Sequence, residues 1–512
     1  MIKVHTAYIK GIEAYPAYVE ASVARGIGYH LIGLPDAAVR ESFHRISSAL
    51  AHTGFRIPGK RITLNLAPAD VRKTGSSFDL ALAVALLLAT GQVDVRLSSS
   101  ILFLGELGLD GSIKPALGLF AIAEMAKRKG YKKLVLSKAQ AEEGQWLEGL
   151  EVYCFERLSE VISFIEHAKG SKPVVSKNWI ERPPKAEVDF AEIKGQQMAK
   201  RGLEIAAAGG HHALMVGPPG MGKTLLAKAL IGILPALRRE EALTISKIHN
   251  AKVPFDDAVF QVEPPFRAPH HTISRAALMG GGHTPAPGEI SLAHKGVLFM
   301  DELTEYPRSV LEVLREPLEE GCIRINRRQQ QWQFPAEFIW VASMNPSPDG
   351  YFYTEERPPR SSPEEIRRYL SKISGALLDR VDVHLEVGEM SHQLLLQSAS
   401  EESSAVIRKR VVAARDLQAR RYEGHTATRT NGQLKGATLK RYTALDKQSK
   451  DLLSKTIEKF ALSARAHDRI LKLSRTIADL DGSLSIGLEH LAEAIRFRVM
   501  DRQNWLNPLK SP

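Results

Sequence analysis

Eight consecutive residues constrain this chain more than any others: Gly217-Pro218-Pro219-Gly220-Met221-Gly222-Lys223-Thr224. An apolar run, Ala213-Leu214-Met215-Val216, precedes them and predicts a short buried strand, and Leu225 to Leu230 follows with helical periodicity. Strand, glycine-rich turn, Lys-Thr and helix together form the context that a phosphate-binding loop requires. The glycines let backbone N–H groups wrap an anion, and the helix N-terminus adds a positive partial charge. Lys223 is placed to reach the β- and γ-phosphates of a nucleotide, and the Thr224 hydroxyl to ligate Mg²⁺.

About 80 residues on, Gly296 to Glu302 reads as a buried strand ending in two carboxylates. Beside a phosphate loop such a pair suits ATP hydrolysis: Asp301 can hold Mg²⁺ through water, and Glu302 can polarise the attacking water. A third strand, Glu337 to Met344, ends in Asn345. Set next to the acidic strand, that amide can hydrogen-bond the γ-phosphate or the water. Arg380 follows at the end of Gly375-Ala376-Leu377-Leu378-Asp379. There it is positioned either to salt-bridge Asp379 or Asp382, or to leave its own subunit and stabilise a neighbour's γ-phosphate.

The whole chain fits this core into something larger. Its 512 residues are enough for two to four domains, and 44% apolar with 25% charged residues is the balance of a folded protein. Two cysteines, Cys154 and Cys322, exclude a disulfide framework and a cysteine-rich metal site, which fits a reducing cytosol. The start has no signal-peptide pattern, and the apolar stretch Leu80 to Thr90 is too short to span a bilayer. A cytoplasmic protein without membrane contact is the expectation. The net charge of +11 is concentrated, since residues 403–512 hold 22 Lys/Arg against 11 Asp/Glu. That is the electrostatic footprint of a nucleic-acid binder, or the solvated face of a helical bundle.

In order, residues 1–168 read as an α/β domain. Its strands lie at 27–33, 61–66, 101–105 and 133–137, and its helices at 36–51, 78–89 and 119–129, with Asp36 as N-cap. Residues 169–190 are proline-rich and charged, a semi-rigid linker. Residues 191–390 hold the nucleotide core, and 391–512 read as a helical lid in which Tyr422 to Lys440 is a polar, mobile connection.

The N-terminal domain resembles the proteolytic domain of Lon proteases, through Lys73-Thr74-Gly75-Ser76-Ser77-Phe78-Asp79 and Gly105 to Pro115. That resemblance places a serine nucleophile near Ser77. The positions matching the family's lysine base hold Phe120 and Ile122, so the domain is expected to be catalytically inactive. Longer strings run through Asn65 to Asp70, Phe266 to Thr272, Gly280 to His294 and Arg475 to Leu480. With these, nearly the whole chain resembles the ComM/YifB family of magnesium-chelatase-like AAA+ ATPases.

The resemblance implies an AAA+ core with helix-2 and pre-sensor-1 inserts, and a hexameric ring with ATP at subunit interfaces. It also implies that Arg380 acts in trans, and that Arg465 in Ser463-Ala464-Arg465-Ala466 is a second sensor, with Arg469 and Arg475 as weaker candidates. The implied activity is an ATP-driven helicase with branch migration on single-stranded and branched DNA. It would serve natural transformation and homologous recombination, with recombination proteins as partners. Many relatives carry four cysteines after the Met-Asn-Pro string. Here Ser347-Pro348-Asp349-Gly350-Tyr351 and Pro359-Arg360-Ser361 stand in their place, so no zinc is expected.

Between the acidic strand and the Asn345 strand, Cys322 to Phe334 alternates like a hairpin with a basic turn. Arg324, Arg327 and Arg328 are its candidate DNA contacts, and a solvated, charged hairpin edge is the other reading. The glycine-rich insert 280–288 is a second candidate pore loop. Two further functions compete with the DNA motor: a chelatase- or MoxR-like motor that remodels a protein partner, and an ATP-dependent protease. The missing lysine argues against the protease.

Overall fold

The computed structural model describes residues 2–71, 73–95, 98–167, 171–251, 260–282, 285–327, 330–352, 360–388, 401–425, 428–460 and 462–498. The chain divides into two compact units. One comprises Met1–Ile180 with Arg239–Gln261 and Arg328–Trp332; the other comprises Glu181–Arg238, Val262–Arg327 and Gln333–Pro512.

The first unit is built on a seven-stranded mixed sheet. Its strands run in the spatial order Gly28–Ile32, Arg61–Ala67, Glu13–Ala24, Ile2–Lys10, Ile101–Phe103, Lys133–Ser137 and Glu151–Phe155. The two longest, Ile2–Lys10 and Glu13–Ala24, form an antiparallel hairpin through its middle, and the sequence reading had no strand there. Their inward positions are mostly Ala and Val, such as Ala14, Ala17, Val19 and Ala21, a weak apolar signal. The helices fall where periodicity put them. Ala37–His52 starts at Asp36, whose carboxylate accepts the Val39 N–H at 2.8 Å. Asp79–Thr90 is buried on nearly every side, as an all-apolar sequence requires. Helix Arg239–Asn250, which the sequence reading placed in the nucleotide core, groups with this unit. Its buried Lys247 pairs with Glu13 and Glu124 at 2.7 and 2.8 Å.

The second unit carries a five-stranded parallel sheet, ordered Phe266–Arg267, Val297–Met300, Ile339–Met344, Ala213–Val216, Val383–Glu386. Three of these strands are short and wholly buried, the pattern of strands covered by helices on both faces. Met300 lies opposite Ala342, and Met344 opposite Val216. The residues that follow the three central strands therefore emerge at one edge, the carboxyl end, where open α/β sheets bind ligands.

Lid helices Ser404–Arg421, Gly436–Tyr442, Lys447–Phe460, Ala464–Leu480 and Leu488–Arg496 belong to the same unit. Buried pairs join them to the sheet. Asp382, just before the last strand, binds Arg469 and lies 3.4 Å from His211. Burial alone would raise the Asp382 carboxyl, but Arg469 and then His211 hold it well below the usual range. The connection predicted to be mobile is anchored where it is described. Asn431 is fully buried and donates to Asp479 at 2.8 Å and Thr476 at 3.1 Å, while the Tyr422 hydroxyl donates to it at 2.6 Å. Among the described residues no helix is long and apolar enough to cross a membrane.

Candidate nucleotide site

The loop after Ala213–Val216 is held by its neighbours before it can hold anything else. The Gly217 N–H donates to the Met344 carbonyl at 3.2 Å. A Cβ on Gly217 would stand 2.0 Å from the Val387 carbonyl oxygen, so no other residue fits there. Gly220 and Gly222 have φ of +79° and +83°, and a Cβ on either would meet nothing within 4 Å. That open, glycine-lined cradle fits a polyphosphate chain.

Five predicted residues converge around it. The buried Lys223 ammonium donates to the Gly217 carbonyl, to the Pro218 carbonyl at 3.0 Å, and to Asn345 Oδ1 at 3.0 Å. Burial lowers the Lys223 pKa, and the charges of Asp301 and Glu302 oppose that shift. Thr224 Oγ1 donates to Asp301 Oδ2 at 2.9 Å. Asp301 Oδ1 accepts from Ser343 Oγ and from the Glu302 N–H. Glu302 itself sits at φ +51°, ψ +53°, a left-handed conformation that costs a non-glycine residue about 1–2 kcal/mol. Its side chain is 61% exposed, with His271 Nδ1 3.8 Å from Oε2, so the carboxylate keeps its proton-accepting face open. Where Mg²⁺ is bound, Thr224 and Asp301 are the residues fit to hold it: a hydroxyl and a carboxylate, both hard oxygen donors.

The sequence reading missed four residues of this neighbourhood. Ser343 is one hydroxyl in an otherwise apolar run; its register, one residue past Ala342, is what sets it beside Asp301. The Tyr369 hydroxyl donates to the Asn345 carbonyl at 3.1 Å and accepts from Thr304 Oγ1 at 3.1 Å. It thereby ties the amide strand to the turn just after Glu302. His271 stood in the quoted Phe266–Thr272 string, and nothing local marks its pairing with Glu302.

The second class of residues lies elsewhere. Arg380 donates to the Ala376 carbonyl and to Glu319, 61 residues away, rather than to Asp379 or Asp382. Arg465 is 63% exposed and donates to Asp379 at 2.8 Å. Both arginines thus belong to one neighbourhood, around Glu319 and Asp379, and their partners are not members of the phosphate-loop cluster. Arg469 is spent on Asp382, and Arg475 on Asp479 and the carbonyls of Ser483 and Leu484.

Residues 189–395 match the family described as magnesium chelatase, subunit ChlI. Residues 19–140 match the subunit ChlI of Mg-chelatase, and 401–498 its C-terminal part. The protein named YifB from Salmonella typhimurium is 40% identical over 98% of this chain and 97% of its own. Competence protein ComM from Haemophilus influenzae is 40% identical over 96% of each. This chain belongs to the ComM/YifB family of magnesium-chelatase-like proteins. A more distant relative, the magnesium-chelatase 67 kDa subunit of Chlorobaculum parvum, is 26% identical over 31% of this chain.

The loop after Asn345, where no zinc is expected, is held by oxygen groups. Asp349 accepts from Ser361 Oγ at 2.7 Å and from the N–H groups of Ser361 and Arg360 at 3.1 and 3.2 Å. Ser347 Oγ donates to the Tyr351 carbonyl at 2.8 Å. In the N-terminal unit, Phe120 and Ile122 are buried core residues. Lys73 is buried too, its ammonium donating to the Val71 carbonyl at 2.8 Å.

Of the candidate DNA contacts, Arg324 lies on strand Cys322–Arg327 with its guanidinium 3.6 Å from both Glu316 and Glu320. Arg328 and the side chain of Arg327 lie outside the described residues. The insert at 280–288 forms a short antiparallel pair, Gly280–Gly281 with Ala286–Pro287; residues 283 and 284 lie outside the description.

Proposed function

We propose that this protein is an ATPase whose copies assemble in a ring, a hexamer by family likeness, and drive a motor along DNA. The convergence of Lys223, Thr224, Asp301, Glu302 and Asn345 at one edge of a parallel sheet carries the first half of the reading. In it Lys223 exchanges its carbonyl partners for β- and γ-phosphate oxygens. Mg²⁺, held by Thr224 and Asp301 when bound, would supply charge neutralisation. Glu302 takes the proton of the attacking water, a role worth about 10²–10⁴-fold in rate. Asn345, gripped through its backbone by Tyr369, orients that water or the γ-phosphate.

The other arginines support the ring. Arg380 and Arg465 cluster around Asp379 and Glu319 instead of entering their own chain's cluster, which suits residues that complete a neighbour's site. One chain therefore binds ATP alone and hydrolyses it well only beside a second copy.

DNA as the track rests on the competence name of the Haemophilus relative and on the basic lid. Helicase action with branch migration, integrating single strands during transformation and recombination, is the task that combination suits. The likeness to chelatase subunits favours a second reading, a motor that remodels a protein partner, because the same nucleotide machinery serves both. Steady-state ATPase with forked DNA, single-stranded DNA, casein or porphyrin separates them. Stimulation by DNA alone is expected. Stimulation by casein or porphyrin with none by DNA would establish the remodeller.

A further inference from the structure

The lid sorts its cations in a way that the nucleotide site does not explain. Several of its arginines turn to acids: Arg410 pairs with Glu204 and Glu402, Arg421 with Asp479, and Arg469 with Asp382. One stretch of the lid does the opposite. Residues 435–459, spanning the two outer helices Gly436–Tyr442 and Lys447–Phe460, hold seven Lys/Arg against three Asp/Glu. One of the acids, Asp446, is occupied as the acceptor for the Ser449 N–H at 2.7 Å. Lys435 is drawn aside to the Glu319 carbonyl at 2.7 Å. The remaining six, Lys440, Arg441, Lys447, Lys450, Lys455 and Lys459, are all exposed, and among the described residues none has a carboxylate partner.

Against these six stand the exposed Asp451 and Glu458, so an excess of positive charge remains on two consecutive helices, and a polyanion laid across them relieves its repulsion. The face also lacks what other partners need. Every exposed position of Lys447–Phe460 is Lys, Gln, Asp, Ser or Glu. On that helix no aromatic or aliphatic side chain stands out to enter a bilayer, as interfacial helices require. Nor is there an apolar centre of the kind that protein interfaces bury. Lysine is a point charge suited to phosphate, without the planar fork that reads base edges.

We propose that this lid face binds the phosphate backbone of nucleic acid without regard to sequence. The proposal rests on the DNA-motor reading and moves its main contact surface away from Arg324, which already sits between two glutamates.

The test uses the full-length protein with Lys440, Lys447, Lys450 and Lys455 all changed to Gln. Binding of a mixed-sequence duplex and of a single strand is followed by fluorescence anisotropy across salt concentrations. Each lost phosphate contact should flatten the slope of log Kobs against log[salt] by about 0.9 on duplex and about 0.7 on single strands. Four contacts thus remove roughly 3–4 from the duplex slope. Basal ATPase without DNA should be unchanged, and the matching Lys→Arg set should keep the wild-type slope. A Gln variant with the wild-type slope on both DNAs would overturn the lid face and leave the motor reading standing. A wild-type protein that binds neither DNA would overturn the motor reading itself. If the substitutions abolish binding to phosphatidylglycerol vesicles while sparing DNA, the face belongs to a membrane and the proposal fails.

Discussion

Turns 73–79 and 217–224 are built from the same materials: a lysine, glycine and hydroxyl side chains ahead of a buried helix. In the first, three side chains are taken by partners no more than 34 residues away along the chain. Lys73 donates to the Val71 carbonyl, Ser76 to Glu106, and Asp79 is closed by Arg45 at 2.6 Å. In the second, Lys223 and Thr224 meet Asn345 and Asp301, which two other strands deliver from far along the chain. The residues of a turn supply chemical groups, and the register of neighbouring strands decides whether those groups face open space or one another. By that measure we read the first turn as a structural joint and the second as the candidate site.

The contrast breaks most sharply at Glu302. Glu302→Gln should lower ATP turnover by about 10²–10⁴-fold while nucleotide affinity persists. Turnover within tenfold of wild type would place the base elsewhere.

Arg45→Met tests the joint in turn. It strands the buried Asp79 carboxylate and should cost the N-terminal unit about 3–5 kcal/mol at neutral pH, read by denaturant melts. The pH course is also set. Burial pushes Asp79 up to about 6, against the pull of Arg45, so the folded state holds its proton above the unfolded value of 3.8. The stability gained from that proton is complete below about 3.8 and is lost as pH rises through 6. Without Arg45 the loss should extend to higher pH, and acidification to pH 5 should recover part of the deficit. A deficit that does not change with pH would mean that Asp79 is not its source.

Tyr369→Phe is a smaller probe of the site. Loss of one hydroxyl that links Thr304 to Asn345 is worth about 1 kcal/mol, or about fivefold in kcat, with KM for ATP unchanged. A rise in KM alone would remove Tyr369 from the positioning of Asn345. Smallest of all, Ser77→Ala should change neither ATPase nor the turnover of a casein substrate. Any loss of casein cleavage would restore catalysis to the first turn.

The parts of the fold that were legible in the sequence are those with local causes. Parallel strands buried on both faces read as short apolar runs, and caps such as Asp36 announce helices. The cradle, Lys223, Thr224 and the two strand-end motifs could be read for the same reason. What escaped depends on pairing at a distance. The central hairpin 2–24 presents alanines and valines inward, too little contrast for periodicity to catch. Asn431 looked like loop and is buried, because Asp479, Thr476 and Tyr422 satisfy its amide. Ser343, Tyr369 and His271 gain meaning only once the sheet order is known. Arg380 found a glutamate that its own neighbourhood in the sequence does not contain.

The three oxygens around Lys223 carry a consequence for selectivity. Its ammonium is never bare, since two loop carbonyls and the Asn345 amide already occupy its donors. An entering anion therefore exchanges bonds instead of adding them. A triphosphate also fills the open glycine cradle, so it collects many contacts for the same exchange. For the proposed ATPase, the cradle and not Lys223 alone would therefore set the preference for a polyphosphate over a small anion.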